Sequence, residues 1–141
     1  MTQAAGAPNP LVGTWKLVSF QFETEGSDEP RDVYDEHPTG FLVITAEGRM
    51  MLLLTAGDRT RIARASALFD RMIAYSGRYR LLGDDRFITT VDSAWHPAWI
   101  GTEQTRFFTL DGDTLSITSP LQQHPKLPDQ LVRGVAIWRK E

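Results

Sequence analysis

Residues Ser93 to Leu110 read Ser-Ala-Trp-His-Pro-Ala-Trp-Ile-Gly-Thr-Glu-Gln-Thr-Arg-Phe-Phe-Thr-Leu. Two tryptophans, a histidine and a proline stand just ahead of a run with period two. Thr102, Gln104, Arg106 and Phe108 fall on one face of that run, and Glu103, Thr105, Phe107 and Thr109 on the other. Such alternation is what a half-buried strand requires. A face that sets Gln104 and Arg106 beside Phe108 is unusual for a plain core. It suits the wall of a cavity that needs a few fixed polar groups among apolar ones.

Downstream of this strand, Asp111-Gly112-Asp113 is a hairpin turn from which Thr114–Ser119 pairs back. Pro120–Asp129 holds three prolines and reads as a loop, and Leu131–Lys140 as the last strand. Upstream, Arg78–Leu82 and Arg86–Ala94 are strands about the turn Gly83-Asp84-Asp85. Pro97 stops the second of them from continuing, because proline cannot donate to a ladder.

Between Thr60 and Tyr75 the period changes. Ile62, Ala65, Leu68, Phe69, Met72 and Ile73 form a stripe at spacings of three and four, which predicts an amphipathic helix of about four turns. Such a helix needs an apolar surface, either the outside of a sheet or the open end of a barrel. Earlier still, Gly40–Thr45 and Arg49–Thr55 form a hairpin about Ala46-Glu47-Gly48. The apolar run Met50–Leu54 suggests contact on both sides of the sheet.

Glu23–Pro38 is an acidic loop with a short strand near Asp32–Tyr34. Leu11–Phe22 is the first strand. Its Trp15, Leu17, Ser19 and Gln21 share one face and Lys16, Val18, Phe20 and Phe22 the other, so both faces are expected to be partly covered. Residues 1–10 read as an arm, and 11–141 as a single domain. The count is eight or nine strands and one helix with mostly hairpin connections. The expected fold is all-β, a closed antiparallel up-and-down barrel, since closure removes exposed edges. An eight-stranded barrel leaves an interior for side chains or one small ligand.

Composition narrows the function classes. The chain has 141 residues, 41% of them hydrophobic and 23% charged, with a formal charge of −3. That balance argues against a general nucleic-acid surface, and Arg59, Arg61 and Arg64 read as the solvated face of the helix. There are no cysteines, which excludes thiolate zinc sites, disulfides and cysteine nucleophiles. The first ten residues lack the basic start and apolar run of a signal peptide. No stretch approaches a membrane helix. A cytoplasmic location is expected, with no membrane partner.

His37, His96 and His124 are too widely separated for a metal-binding pair, so no metal site is expected. No Gly-x-Ser-x-Gly, Walker-type loop or dinucleotide fingerprint is present, and no cofactor is expected.

Five pieces in order resemble the lipocalin-like domain family, a calycin-type group of small bacterial and fungal β-barrel proteins. They are Gly13-Thr14-Trp15-Lys16-Leu17-Val18-Ser19-Phe20, Thr45-Ala46-Glu47-Gly48-Arg49-Met50, Tyr75-Ser76-Gly77-Arg78-Tyr79, Pro97-Ala98-Trp99-Ile100-Gly101-Thr102-Glu103-Gln104-Thr105-Arg106-Phe107, and Leu110-Asp111-Gly112-Asp113-Thr114-Leu115. The fourth is the most specific. The resemblance implies a lipocalin or calycin-like barrel and little about activity, since a fold does not fix a function. It also implies that Trp15 and Trp138, with Arg139 beside the second, form the barrel floor. His96 stands where the family usually has an apolar residue, and Thr89-Thr90 where histidines are common. Any site that depends on those histidines is not carried over.

Eight residues are candidates for a ligand site. His96 is placed to act as an acid or base near neutral pH. Asp92 and Arg106 are expected to pair inside the barrel if their strands are neighbours, and to anchor a carboxylate, carbonyl or phenol. Gln104 supports Arg106 from the same face. Tyr75 and Tyr79, flanking Gly77 where helix gives way to strand, offer hydroxyls, and Trp95 and Trp99 offer stacking faces. The first functional reading is a binder of a small, largely apolar or amphipathic molecule with one polar end. The alternative is a cofactor-independent enzyme on the same barrel, an isomerase or cyclase in which His96 or Asp92 moves a proton. A third treats the barrel as solidly packed and used for protein contact through the helix or the acidic loop. The sequence leaves the oligomeric state open, a homodimer included.

Overall fold

Eight strands close on themselves in the computed structural model, which describes residues 9–26, 29–59, 64–124 and 127–141. In chain order the elements are β1 (Gly13–Thr24), β2 (Arg31–Asp32), β3 (Thr39–Ile44), β4 (Arg49–Thr55), α1 (Ala65–Asp70), β5 (Met72–Leu82), β6 (Arg86–Ala94), β7 (Glu103–Asp111), β8 (Thr114–Thr118), β9 (Gln122–His124) and β10 (Leu127–Lys140). A short 3-10 turn at Pro97–Trp99 joins β6 to β7. The barrel order is β1-β3-β4-β5-β6-β7-β8-β10, and β10 returns to β1. Every pairing is antiparallel, and the short β2 and β9 hang on β1 and β10.

Three of the turns, at Gly48, Gly83 and Gly112, need a positive φ that glycine adopts without strain. They lie at one end, where Trp15, Trp138, Leu42 and Leu115 pack into a floor with almost no exposure. The other end, the mouth, carries the longer connections with α1 and the 3-10 turn.

Closure around a single core rests on a bulge in β1. Trp15 and Leu17 point inward, the register against β10 then slips between Leu17 and Ser19, and Phe20 and Phe22 point inward as well. An extra residue in one strand reverses the phase of everything after it. The expectation that Trp15 and Leu17 face away from Phe20 and Phe22 is therefore corrected. Val18, at the bulge, is exposed.

Three further expectations change. The four-turn helix shrinks to the six residues of α1, none of them buried. Ile62 lies outside the described residues. Met72 to Tyr75 belong instead to β5, which pairs with β4 from Thr55↔Met72 to Arg49↔Arg78. Ile73 satisfies both periods, since it is four residues past Phe69 and also in phase with inward Tyr75. The ladder gives these residues hydrogen bonds and burial that an exposed helix turn does not.

The run Met50–Leu54 is covered on one side only: Met50 and Leu54 are buried, while Met51 and Leu53 are 54% and 44% exposed. With Phe41 and Val43 they form an apolar outer face on β3 and β4. The proline-rich stretch after Pro120 is not all loop, because β9 pairs with β10 inside it.

Candidate functional site

The mouth is built by the connection between β6 and β7. Pro97 occupies the first turn of the 3-10 segment, where a missing N–H costs nothing. His96 precedes it as a cap, its Nδ1 accepting the Ala98 N–H at 3.3 Å. Trp99 and Ile100 donate their N–H groups to the His96 and Pro97 carbonyls. This turn swings the Trp99 indole into the barrel, where it is 8% exposed.

A chain of hydrogen bonds then ties Trp99 to Arg106. Thr102 Oγ1 donates to the Trp99 carbonyl at 2.6 Å and accepts from Gln104 Nε2 at 2.8 Å. Gln104 Oε1 accepts from the Arg106 guanidinium at 3.4 Å, and the Thr105 carbonyl accepts from the same group at 2.7 Å. The guanidinium carbon lies 5.9 Å from the centroid of the Trp99 ring, within range of a cation–π contact. Arg106 is 9% exposed. Among the described residues no carboxylate lies within 4 Å of it; the ion pairs join Arg49 to Asp92, Arg80 to Glu103, Arg86 to Asp85 and Arg133 to Glu23.

Arg106 looks into a cavity between the mouth and the floor. Its apolar wall comes from residues such as Leu42, Leu54, Ile73, Phe87, Ile117 and Val132, and Trp138 lies at its base. Trp99, Arg106, Ser119, Gln122 and His124 line its upper part. The cavity gives the centres of water-sized molecules about 60 Å³, room for roughly four to six water positions. The barrel is not solidly packed, as the protein-contact reading required, and the space suits a compact guest.

The structure separates the eight candidates. Tyr75, Trp99 and Arg106 line the cavity, and Gln104 positions Arg106 from the side. Trp95 stacks against His124 but faces the grooves outside the barrel. His96 lines one of those grooves with Tyr34 and Arg71.

Tyr79 stands on β5 at the floor end. Its hydroxyl donates to the Thr45 carbonyl at 2.8 Å and accepts from Asn9 Nδ2 at 2.7 Å. Burial pushes its pKa up, with the Asn9 hydrogen bond opposing. Both tyrosines are strand residues, not the helix–strand junction expected.

Asp92 is the clear correction. β6 and β7 pair with Phe87 opposite Arg106 and Thr89 opposite Gln104, so the inward residues of β6 are Phe87, Thr89 and Val91. Asp92 points outward and takes two hydrogen bonds from Arg49, at 2.7 and 3.2 Å. Those bonds hold its carboxyl below the ordinary range, helped by one from Ser76. With Asp92 outside and His96 used as a cap, neither proton-moving candidate of the enzyme reading lines the cavity.

At the floor, the cation over Trp15 is Lys140, 4.9 Å from the ring centroid. Arg139, which the resemblance set beside Trp138 at the floor, is exposed one residue earlier.

His124, Ser119 and Gln122 escaped the sequence reading. His124 is 7% exposed and packs on Phe22, Trp95 and Trp99. Its signal was the period-two pair Gln122 and His124, hidden between prolines that favour a loop reading. Among the described residues no group of three or more potential metal ligands occurs, and no helix is long and apolar enough to cross a membrane.

The family model for a lipocalin-like domain matches residues 12–141. No curated protein matches the chain.

Proposed function

The chain belongs to the lipocalin-like domain family, a barrel suited to holding small molecules in its interior, and from that premise we propose that it binds a compact, largely apolar molecule by one anionic end. The observation that carries this reading is the Arg106 guanidinium, buried with no carboxylate partner among the described residues. A buried charge left without a counter-charge costs several kcal/mol. Two donors of its fork are matched by Thr105 and Gln104, and the rest are available to a guest.

The guest's polar end would meet Arg106 against the Trp99 face. Its body would lie along Leu54, Ile73, Phe87 and Val132 toward Trp138. Gln104 acts by orienting Arg106, since its amide is already engaged on both sides.

The test exposes the protein to a small-molecule extract of its own organism and follows it by native mass spectrometry, with denaturing release of whatever stays bound. The wild-type protein should retain a compound, and Arg106→Gln should lose it while keeping its circular dichroism and melting temperature. Empty wild-type protein, or equal retention by the variant, overturns the reading. A released compound absent from the untreated extract would mark turnover, in favour of an isomerase or cyclase.

A further inference from the structure

We infer that the polar end of the guest is a carboxylate, gripped from two strands at once by Arg106 on β7 and Ser119 just past β8; the inference rests on the binding reading above. The pairing of β7 with β8 sets Phe107 opposite Thr118. The paired ladder ends at that rung, and the residues beyond it on the two chains, Arg106 and Ser119, both line the cavity. Directly opposed residues of an antiparallel pair hold their Cβ atoms about 5 Å apart, so the rung of Phe107 and Thr118 keeps the two chains close where Arg106 and Ser119 follow. Both side chains are buried, at 9% and 7% exposure.

Ser119 is held rigidly. Its N–H donates to the Gly134 carbonyl at 3.0 Å, and its Oγ accepts the Gly134 N–H at 2.8 Å. A hydroxyl has one proton and two acceptor sites. The bond from Gly134 uses an acceptor site, and among the described residues no partner takes the proton. Ser119 therefore offers a donor from a fixed oxygen to the same cavity that Arg106 lines.

Two donors arriving from opposed strands match a group with two acceptor oxygens on one carbon. A phenol or ketone has one uncharged oxygen with two lone pairs, so once it has met the serine proton and one guanidinium N–H the rest of the fork and its charge stay unmatched, which is costly in a buried site. Gly134 keeps this corner open. A Cβ there would stand 3.8 Å from Ser119 Oγ and 3.5 Å from the Phe20 ring, so a methyl group would occupy space now left to the guest without a clash.

Three probes of one size test the inference: 4-methylbenzoate, 4-methylphenol and 4-methylacetophenone, titrated against the tryptophan fluorescence of the full chain. The benzoate should bind about tenfold more tightly than the other two, as charge-assisted hydrogen bonds require. Ser119→Ala should weaken the benzoate about fivefold and leave the phenol and ketone within about twofold. Ser119→Thr, which keeps the hydroxyl, should restore the preference.

Equal binding of all three probes overturns the inference. So does an equal loss of all three in Ser119→Ala, which would mean that the serine serves only the Gly134 N–H. A guest recovered from the extract that carries no carboxylate overturns it too, while leaving the cavity reading intact. Failure of every probe to bind, together with empty protein from the extract, sinks both.

Discussion

The two ends of the barrel spend similar residues differently. At the floor Trp15 gives its Nε1 proton to the Leu11 carbonyl at 2.9 Å, and Lys140 lies over its ring while donating to the Val12 carbonyl at 3.0 Å. Tyr79 has both a donor and an acceptor for its hydroxyl. At the mouth Trp99 also has a cation over its ring, but among the described residues Arg106 lacks a counter-charge and the Tyr75 hydroxyl has no partner. Exceptions remain among the described residues: Trp138 Nε1 at the floor and Thr89 Oγ1, opposite Tyr79, are buried and unpartnered. A tryptophan beside a cation thus says nothing by itself about use. Fuller pairing of the charged and hydroxyl groups marks the end that holds the barrel together, and an unmatched cation marks the end that can take a guest.

The largest break in this contrast should come from the floor. Trp15→Ala removes a 1%-exposed indole and should cost about 3–5 kcal/mol of stability, measured by urea unfolding. A cost below about 1 kcal/mol would mean that the floor does not hold the barrel together.

Arg106→Met at the mouth should do the reverse. A buried charge without a counter-charge is itself destabilising, so replacing it by an apolar side chain of similar size should leave the guest-free protein melting no lower than wild type while binding is lost. A large drop in melting temperature would make Arg106 structural.

The tyrosine pair sharpens the same point at smaller scale. Tyr79→Phe deletes two hydrogen bonds and should cost about 1–2 kcal/mol, whereas Tyr75→Phe should change stability within about 0.5 kcal/mol. Equal costs would erase the distinction between the ends.

The smallest effect concerns Asp92, which belongs to neither end. Its folded pKa is depressed, chiefly by hydrogen bonding from Arg49. Its contribution is therefore present above the unfolded value near 4 and is lost as pH falls through the lower folded value. Asp92→Asn should flatten the acid limb of the stability curve below about pH 4 and leave guest affinity unchanged. A change in affinity would place Asp92 back at the site.

Some of this was legible in the residues. Arg49–Thr55 and Arg86–Ala94 have the strand bounds expected, because alternation and glycine turns agree there. The inward face of Gln104, Arg106 and Phe108 also follows from alternation alone. Ser119, Gln122 and His124 did not stand out, since a polar residue near a proline looks like loop until a neighbouring strand claims it.

Taken alone, the chain determined an all-β barrel, the hairpin order of its strands and the polar-in-apolar character of β7, because turn chemistry and period two are local properties. Tertiary structure decided which faces meet. A strand of period two shifts its whole inward set when its register moves by one residue, and register is set by pairing between distant segments. The bulge after Leu17 brought Phe20 and Phe22 into the core, and the stagger of β6 against β7 sent Asp92 outward and left Arg106 inside without it.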